Sequence, residues 1–363
     1  MGSFAETLVI VVVIKVIDMV TQQEFSRFYE THLKPKLVQL DVQRRSFAKK
    51  YKWLNIFSWS MIILFCLLYV VMGIWFDNYY QGSKDFGFVL AMIPVLGLLA
   101  AIIVYSHYEH KWKSPYQNRF KTEIVQSIVT RIDKNLSYYP KRQITRQELT
   151  ASLLENYLPW WWTQIDSWAG DDYFEGTVGN IFIKFSEIYA ESTYDFGSDT
   201  LFKGLFFIFD LNKVFDGFLV ILPNPKTGKN PYRKYGTLIK LAEPEFEREF
   251  IVYSNNEMRA IQVLTPSFIS NLVKFRHQLG KNISLSLVNN QLYVLISIDK
   301  NLFEPTIYST LLDFNLYRHF FENIQLGKEI VENLNMNTWD KTETSGSVLT
   351  SNHLKNMINH SNG

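Results

Sequence analysis

Apolar residues along this chain follow three patterns in turn, each predicting a different kind of element. Phe25, Tyr29, Leu33, Leu37, Leu40, Phe47 and Tyr51 recur at three- and four-residue steps, the signature of one helical face. Two runs without any charge follow, Leu54 to Phe76 and Phe86 to Ser106, of 23 and 21 residues. Each reaches the ~20 residues that a helix needs to cross a hydrocarbon layer of ~30 Å. A second amphipathic stripe then repeats every four residues at Tyr116, Phe120, Ile124, Ile128, Ile132 and Leu136. Beyond residue 174 the period shortens. Runs such as NIFIKFSEIYAE, LFKGLFFIFD, GFLVILP, FIVYS and NISLSLVNNQLYVLISI are rich in Phe, Ile, Val and Tyr and read as strands.

Capping residues place helices among these strands. Thr145 with Glu148 forms a capping-box pattern opening a short helix that runs to about Tyr157. Thr265-Pro266 opens another, which Gly280 ends, and a third covers about Asn315 to Leu334. Asn289-Asn290, between two strand-like runs, reads as a tight turn because Asn tolerates positive φ. One three-residue pattern recurs: Phe174-Glu175-Gly176, Phe202-Lys203-Gly204 and Phe215-Asp216-Gly217. It is either a ligand-binding signature used three times or the punctuation of a sheet, with Phe inward, the charge outward and Gly at a bulge. The second reading is preferred.

The fold class expected is α+β: a transmembrane helical hairpin with a cytosolic helical stalk and a mainly antiparallel β-sheet domain with peripheral helices, an all-β barrel being the competing arrangement. The divisions are 1–21, an apolar segment of uncertain state; 22–136, the stalk with spans 54–76 and 86–106; 137–339, the cytosolic domain; and 340–363, a Ser/Asn/Thr-rich tail expected to be disordered.

Charge sets the orientation. Arg44, Arg45, Lys49, Lys50 and Lys52 precede the first span, and Lys111, Lys113, Arg119 and Lys121 follow the second. The positive-inside rule puts both termini in the cytoplasm. Trp53, Trp75, Tyr105 and Trp112 are the candidate interface anchors, because amphipathic rings prefer the headgroup layer. Overall composition agrees: aromatic residues make up 16% and charged residues 20%, against roughly 25% charged in soluble domains. A net charge of +2 gives no global field for nucleic acid, and one cysteine, Cys66, permits neither an intrachain disulfide nor a cysteine zinc site.

From residue 171 the chain resembles a known family. Asp171-Asp172-Tyr173-Phe174-Glu175-Gly176-Thr177-Val178-Gly179, the FKGLFF run, Glu243-Pro244-Glu245-Phe246-Glu247 with Phe250-x-Val-Tyr-Ser254, and Leu302-Phe303-Glu304-Pro305 are similar in order and spacing to bacterial membrane proteins known only as a domain of unknown function. The resemblance runs from about Glu24 to Trp339. It implies two-pass proteins of the bacterial plasma (inner) membrane with a cytosolic domain and brings no activity, cofactor or catalytic residue.

Candidate chemistry is sparse. The seven histidines form no HExxH motif, Gly228-Lys229-Asn230 lacks the rest of a phosphate loop, and no G-x-S-x-G elbow is present, so neither a metal nor a cofactor is expected. Asp172, Glu187 and Glu191 are the candidate catalytic carboxylates; alternation in a strand puts the two glutamates on one face. Trp160-Trp161-Trp162 with Trp168 could anchor the core, touch the inner leaflet or stack a ligand, with a divided outcome expected. Neither span holds an Asp, Glu, Lys, Arg or His, and one hairpin encloses no pore. The leading functional expectation is a membrane-anchored cytosolic binding or scaffolding module. Its partners would be the lipid bilayer and an unidentified protein or small molecule, with homo-oligomerisation open. A membrane-tethered hydrolase or nucleotide-processing enzyme is the alternative, and an oligomeric channel subunit a third.

Overall fold

A computed structural model describes residues 23–79, 84–157, 165–194, 197–225, 236–334 and 336. The apolar segment 1–21, the tail 340–363 and Trp160, Trp161 and Trp162 lie outside the described residues, as does the side chain of Trp112. The described residues form two compact units: one holds those up to Ser127 with Glu304–Arg318, the other those of Ile128–Phe303 with those from His319.

The first unit is helical. One continuous helix covers Lys34–Tyr79 and a second covers Lys84–Phe120, and both apolar runs lie within them. They are antiparallel: the Phe47 and Tyr116 rings are 5.6 Å apart, and the Tyr105 hydroxyl donates to Asn55 Oδ1 at 2.9 Å. Among the described residues, one helix is long and apolar enough to cross a membrane, the first of the two, and its apolar stretch is not buried within the protein. The polar-side extensions bury their stripes instead. Phe25, Tyr29, Leu33, Leu37 and Leu40 are buried, as are Tyr116, Phe120 and Ile124. Single π-turns at Tyr29–Leu33 and Lys121–Val125 fall inside these stripes. A step of four residues overshoots a 3.6-residue turn by about 40°, and one wider turn returns the stripe to its face.

Segment 304–312 is fastened to these helices by buried polar groups. Asp41 accepts from Arg44 at 2.6 Å, from Arg45 at 2.9 Å and from the Leu311 N–H at 3.1 Å. Arg44 also donates to the Ile307 carbonyl at 2.9 Å. Burial pushes the Asp41 carboxyl up, but the hydrogen bonds from Arg44, Leu311 and Arg45 outweigh it and hold the group below the usual carboxylate range. Lys121, itself buried, pairs with Glu304 at 2.8 Å.

The second unit is α+β. Among the described residues, seven strands, β1 (Ser137–Tyr139), β2 (Ser167–Val178), β3 (Ile181–Tyr194), β4 (Gly197–Pro223), β5 (Thr237–Ile239), β6 (Phe250–Ser254) and β7 (Ile283–Ser297), form one sheet. Its order is β1-β2-β3-β4-β6-β5, with β7 also paired to β4, and every pairing is antiparallel. The long β4 is the spine. Its first half lies between β3 and β7, and its second half between β7 and β6.

Burial on both faces explains the nearly unbroken apolar run FKGLFFIFD, since alternation disappears where neither face is wet. Phe207 belongs to a cross-strand aromatic row: Phe174 stacks on Phe185 with centroids 4.4 Å apart, and Phe185 on Phe207 at 4.7 Å. The closing helix, Phe314–Asn333, covers that face: a Cβ built on Gly327 would lie 3.1 Å from Ile183 and 3.5 Å from Phe207. Phe206 and Ile208 face the opposite way, into a cluster with Ile144, Leu149, Tyr157, Ile188, Val220 and Tyr253.

At two of the three Phe-charged-Gly triplets another stretch of backbone runs close to the glycine, and at the third a side chain does. Gly204, with φ +152°, sits where a Cβ would meet the Ile296 carbonyl oxygen of β7 at 2.0 Å. Gly217, at φ +101°, faces Asn255, whose Oδ1 accepts the Phe218 N–H at 2.7 Å. At Gly176 the obstacle would be the Asn135 carbonyl, 2.6 Å away. The charged members differ in partner and burial, so the repetition is one of sheet geometry.

The caps appear as expected: Thr145 and Glu148 make the full capping box, Thr265 caps the Phe268 N–H, and Gly280 ends that helix at φ +59°. The expected turn at Asn289-Asn290 is a correction. Asn289 does take a left-handed φ of +53°, but β7 passes straight through it, and the residue sits at a register shift opposite Phe215. Local preference set its φ; pairing along β4 kept the strand continuous.

Candidate functional site

The three candidate carboxylates all lie on the β2–β3 ribbon of the second unit. Asp171 is opposite Glu187, and a register shift follows immediately, between Asp171 and Phe174. Asp172 occupies this bulge with φ +52° and is fully buried, at 0% exposure. The bulge turns its side chain inward, where the Tyr138 hydroxyl of β1 donates to Oδ1. Tyr138 is fixed in turn by its ring, 4.8 Å from that of Phe174, and the Asp172 N–H donates to the Pro140 carbonyl at 3.4 Å. β1 and the chain following it are thus fastened to the sheet through Asp172.

Glu187 does the same for another segment. It is 8% exposed, and its Oε2 accepts the Leu302 N–H at 3.0 Å. That bond places Phe303, whose ring lies 5.3 Å from Phe174 and 5.5 Å from Phe320. Glu191 stands four residues further along β3, about 13 Å away at strand rise. It is half-exposed, accepting from the Tyr189 hydroxyl at 2.6 Å and from Ser198 at 3.1 Å. Asp172 and Glu187 are therefore buried anchors close together, and Glu191 is a separate surface group. Glu187 thus accepts from a backbone N–H and Asp172 from a phenol, each contact fixing a neighbouring segment. Trp168, the one described member of the tryptophan cluster, donates to the Ile144 carbonyl at 3.0 Å and lies edge-on to Phe206 at 6.4 Å, a half-buried core position.

The interface candidates occupy the first unit. Trp53 is 72% exposed and Trp75 is 49% exposed on the same helix. Their 22-residue separation amounts to about 33 Å at 1.5 Å per residue, close to the thickness of a hydrocarbon core. Tyr105, on the other helix, donates to Asn55 Oδ1 at 2.9 Å and has the Tyr51 hydroxyl 3.0 Å away, which brings it to the level of Trp53. Ile56, Phe57, Ile63 and Leu67, between the two tryptophans, are about half exposed or more.

Sequence reasoning missed Tyr138, Asp41 and the Lys121–Glu304 pair. A lone Tyr in a three-residue strand carries no signal. Asp41 with Arg44 and Arg45 looks like an ordinary i, i+3 and i+4 surface set; its burial follows from Leu311, 270 residues away in sequence.

These features define a class: an α+β protein with an antiparallel sheet and an exposed apolar helix. Residues 200–336 match the family model described as Protein of unknown function (DUF3137). The matched region begins in β4 and takes in β5, β6, β7 and the closing helix, while the Asp171–Gly179 run lies before it. No curated protein shows a significant match. Among solved structures, the mycobacterial trehalose monomycolate transport factor A, TtfA, aligns over 58% of this chain and 93% of its own, with 11% identity and a TM-score of 0.28. At that score the likeness carries no argument about this chain.

Proposed function

We propose that the protein is a membrane-anchored, cytosolic binding or scaffolding module held in the bacterial inner membrane by two spans, 54–76 and 86–106, with both termini cytoplasmic. One observation carries this reading: the uncharged stretch between Trp53 and Trp75 is a continuous helix whose apolar side chains stay exposed. Burying such a surface stabilises by about 25 cal/mol per Å², and a bilayer is the solvent that matches its length and aromatic ends. The second apolar helix, antiparallel to the first, completes a hairpin. The β-rich unit supports a binding role over an enzymatic one, because Asp172 and Glu187 already serve as structural acceptors.

Carbonate extraction of membranes containing the full chain, with reporter fusions after residues 80 and 340, tests the reading. The expected outcome is retention in the membrane, with the 340 fusion cytoplasmic and the 80 fusion external. Release by carbonate, or an external 340 fusion, would overturn it.

A further inference from the structure

An open groove of about 580 Å³ runs along the first long helix, within the ~300–1,000 Å³ usual for ligand sites. Its floor is one helical face, formed by Ala48, Lys52, Ile56, Trp59 and Ile63. The composition changes along this face: exposed Lys49 and Lys52 stand at one end, and apolar side chains continue for about three turns beyond them. Tyr308 closes the polar end, and its ring is held. The Ile307 carbonyl accepts from Arg44 at 2.9 Å, the Thr306 carbonyl accepts from Tyr116 at 3.2 Å, and Tyr51 meets the Tyr308 ring edge-on at 6.0 Å. Yet Tyr308 is 75% exposed. A buried polar clamp thus positions an aromatic hydroxyl beside the groove without using it.

Three donors converge on that end. Asn55 spends its Oδ1 on the Tyr105 hydroxyl, which leaves its amide N–H groups for the groove. Neither the Lys52 ammonium nor the Tyr308 hydroxyl has an acceptor among the described residues. Donors without acceptors, with a lysine among them, call for an anion. The apolar floor beyond them calls for a hydrocarbon chain, and the two are joined at the level of Trp53 and Tyr105. We infer that this groove binds an anionic phospholipid of the cytoplasmic leaflet, its phosphate at Lys52, Asn55 and Tyr308 and one acyl chain along Ile56, Trp59 and Ile63. The inference rests on the membrane reading above and names a ligand for it. A zwitterionic lipid offers the same chain but adds a cation beside Lys49 and Lys52, so the site distinguishes headgroups by charge.

The test uses the full chain purified in detergent, examined by native mass spectrometry with added dioleoyl phosphatidylglycerol, dioleoyl phosphatidylcholine or inorganic phosphate. Phosphatidylglycerol is expected to be retained in preference to phosphatidylcholine, and free phosphate not to displace it. Lys52→Ala and Tyr308→Phe should each weaken phosphatidylglycerol retention. The loss at Lys52 should be about fivefold, the effect of one basic side chain near an anionic surface. Lys113→Ala removes the same charge from the exposed surface of the other helix and should leave retention unchanged. Ile63→Trp, which fills the floor, should reduce retention of both lipids. Equal retention of the two lipids, displacement by phosphate, or equal losses for Lys113→Ala and Lys52→Ala would overturn the site. Carbonate resistance separates the two ideas: a chain that stays in the membrane but shows no lipid preference refutes the groove alone, whereas a chain released by carbonate refutes the membrane reading itself.

Discussion

Gly204→Ala is the sharpest probe of how the sheet is built. The residue lies in β4 between Ile188 of β3 and Ser297 of β7, so neither neighbour can move without unpairing a ladder. A new Cβ would stand 2.0 Å from the Ile296 oxygen and 2.8 Å from the Ile298 nitrogen, both backbone atoms, so no side-chain rotation relieves the clash. The same Ile298 N–H donates to the Lys203 carbonyl at 2.8 Å, which ties β7 to β4 at that point. Backbone strain at φ +152° costs about 1–3 kcal/mol, and overpacking against the strand about 1–3 kcal/mol more. A loss of about 2–6 kcal/mol is therefore expected, a large share of the ~5–15 kcal/mol typical of a folded domain. Two controls isolate the cause. Gly280→Ala meets nothing within 4 Å and bears only the left-handed backbone cost of about 1–2 kcal/mol. Lys203→Ala removes a surface contact to Asn301 at 2.6 Å and should cost about 1 kcal/mol or less. Urea midpoints of the full-length variants in detergent give the order directly. Gly204→Ala within 1 kcal/mol of wild type, or a loss at Lys203 exceeding that at Gly204, would refute the geometric account of the repeated triplet.

Two further outcomes follow from the buried polar groups. Asp41→Asn removes the charge to which Arg44 and Arg45 donate and should cost about 1.5–3 kcal/mol, the worth of charged hydrogen bonds. Because the folded carboxyl is held below its usual value, that contribution is complete above the unfolded value of about 3.9 and vanishes as pH falls through the lower folded one. Melting curves should therefore separate wild type from Asp41→Asn by a constant margin from pH 8 to 5 and converge only in stronger acid; a gap that closes near neutrality would contradict the clamp. Tyr138→Phe removes a donor from buried Asp172 and should cost about 1–3 kcal/mol, and unchanged stability in chemical unfolding would show that Asp172 is not an anchor.

Elements whose cause lies within a few residues were legible in the sequence. The capping box at Thr145 and Glu148, the Thr265 cap and the Gly280 stop each depend on a short local pattern, and each is present. The apolar runs predicted long helices because length and lack of charge suffice. Asn289 shows where local reading stops: its φ was predictable, but whether the chain turns there depends on Phe215 and Phe218 of another strand. The candidate carboxylates show the same limit from the functional side. Alternation alone would put Glu187 and Glu191 on one strand face, but a register shift falls between them at Ala190/Glu191, and a bulge at Asp172 and a partner at Leu302 made two of the three acidic groups structural.

The steps of four at Phe25, Tyr29, Leu33 and Leu37, and again at Tyr116, Phe120 and Ile124, held more information than an amphipathic label conveys. An ideal helix cannot keep such a stripe on one side for long, because each step drifts by about 40°. Both stripes stay buried, and each contains a π-turn. A strict four-residue apolar repeat is thus a sequence signal for a widened turn, just as a strict seven-residue repeat signals a supercoil. The position of the turn within the stripe is fixed by packing. At Tyr29 the hydroxyl must reach the Leu312 carbonyl at 2.9 Å while the ring meets Phe314 edge-on at 5.2 Å, and a one-residue slip would carry that ring off the buried face. The widened turns therefore keep both helices in register with segment 304–318, the segment that carries Tyr308 to the groove.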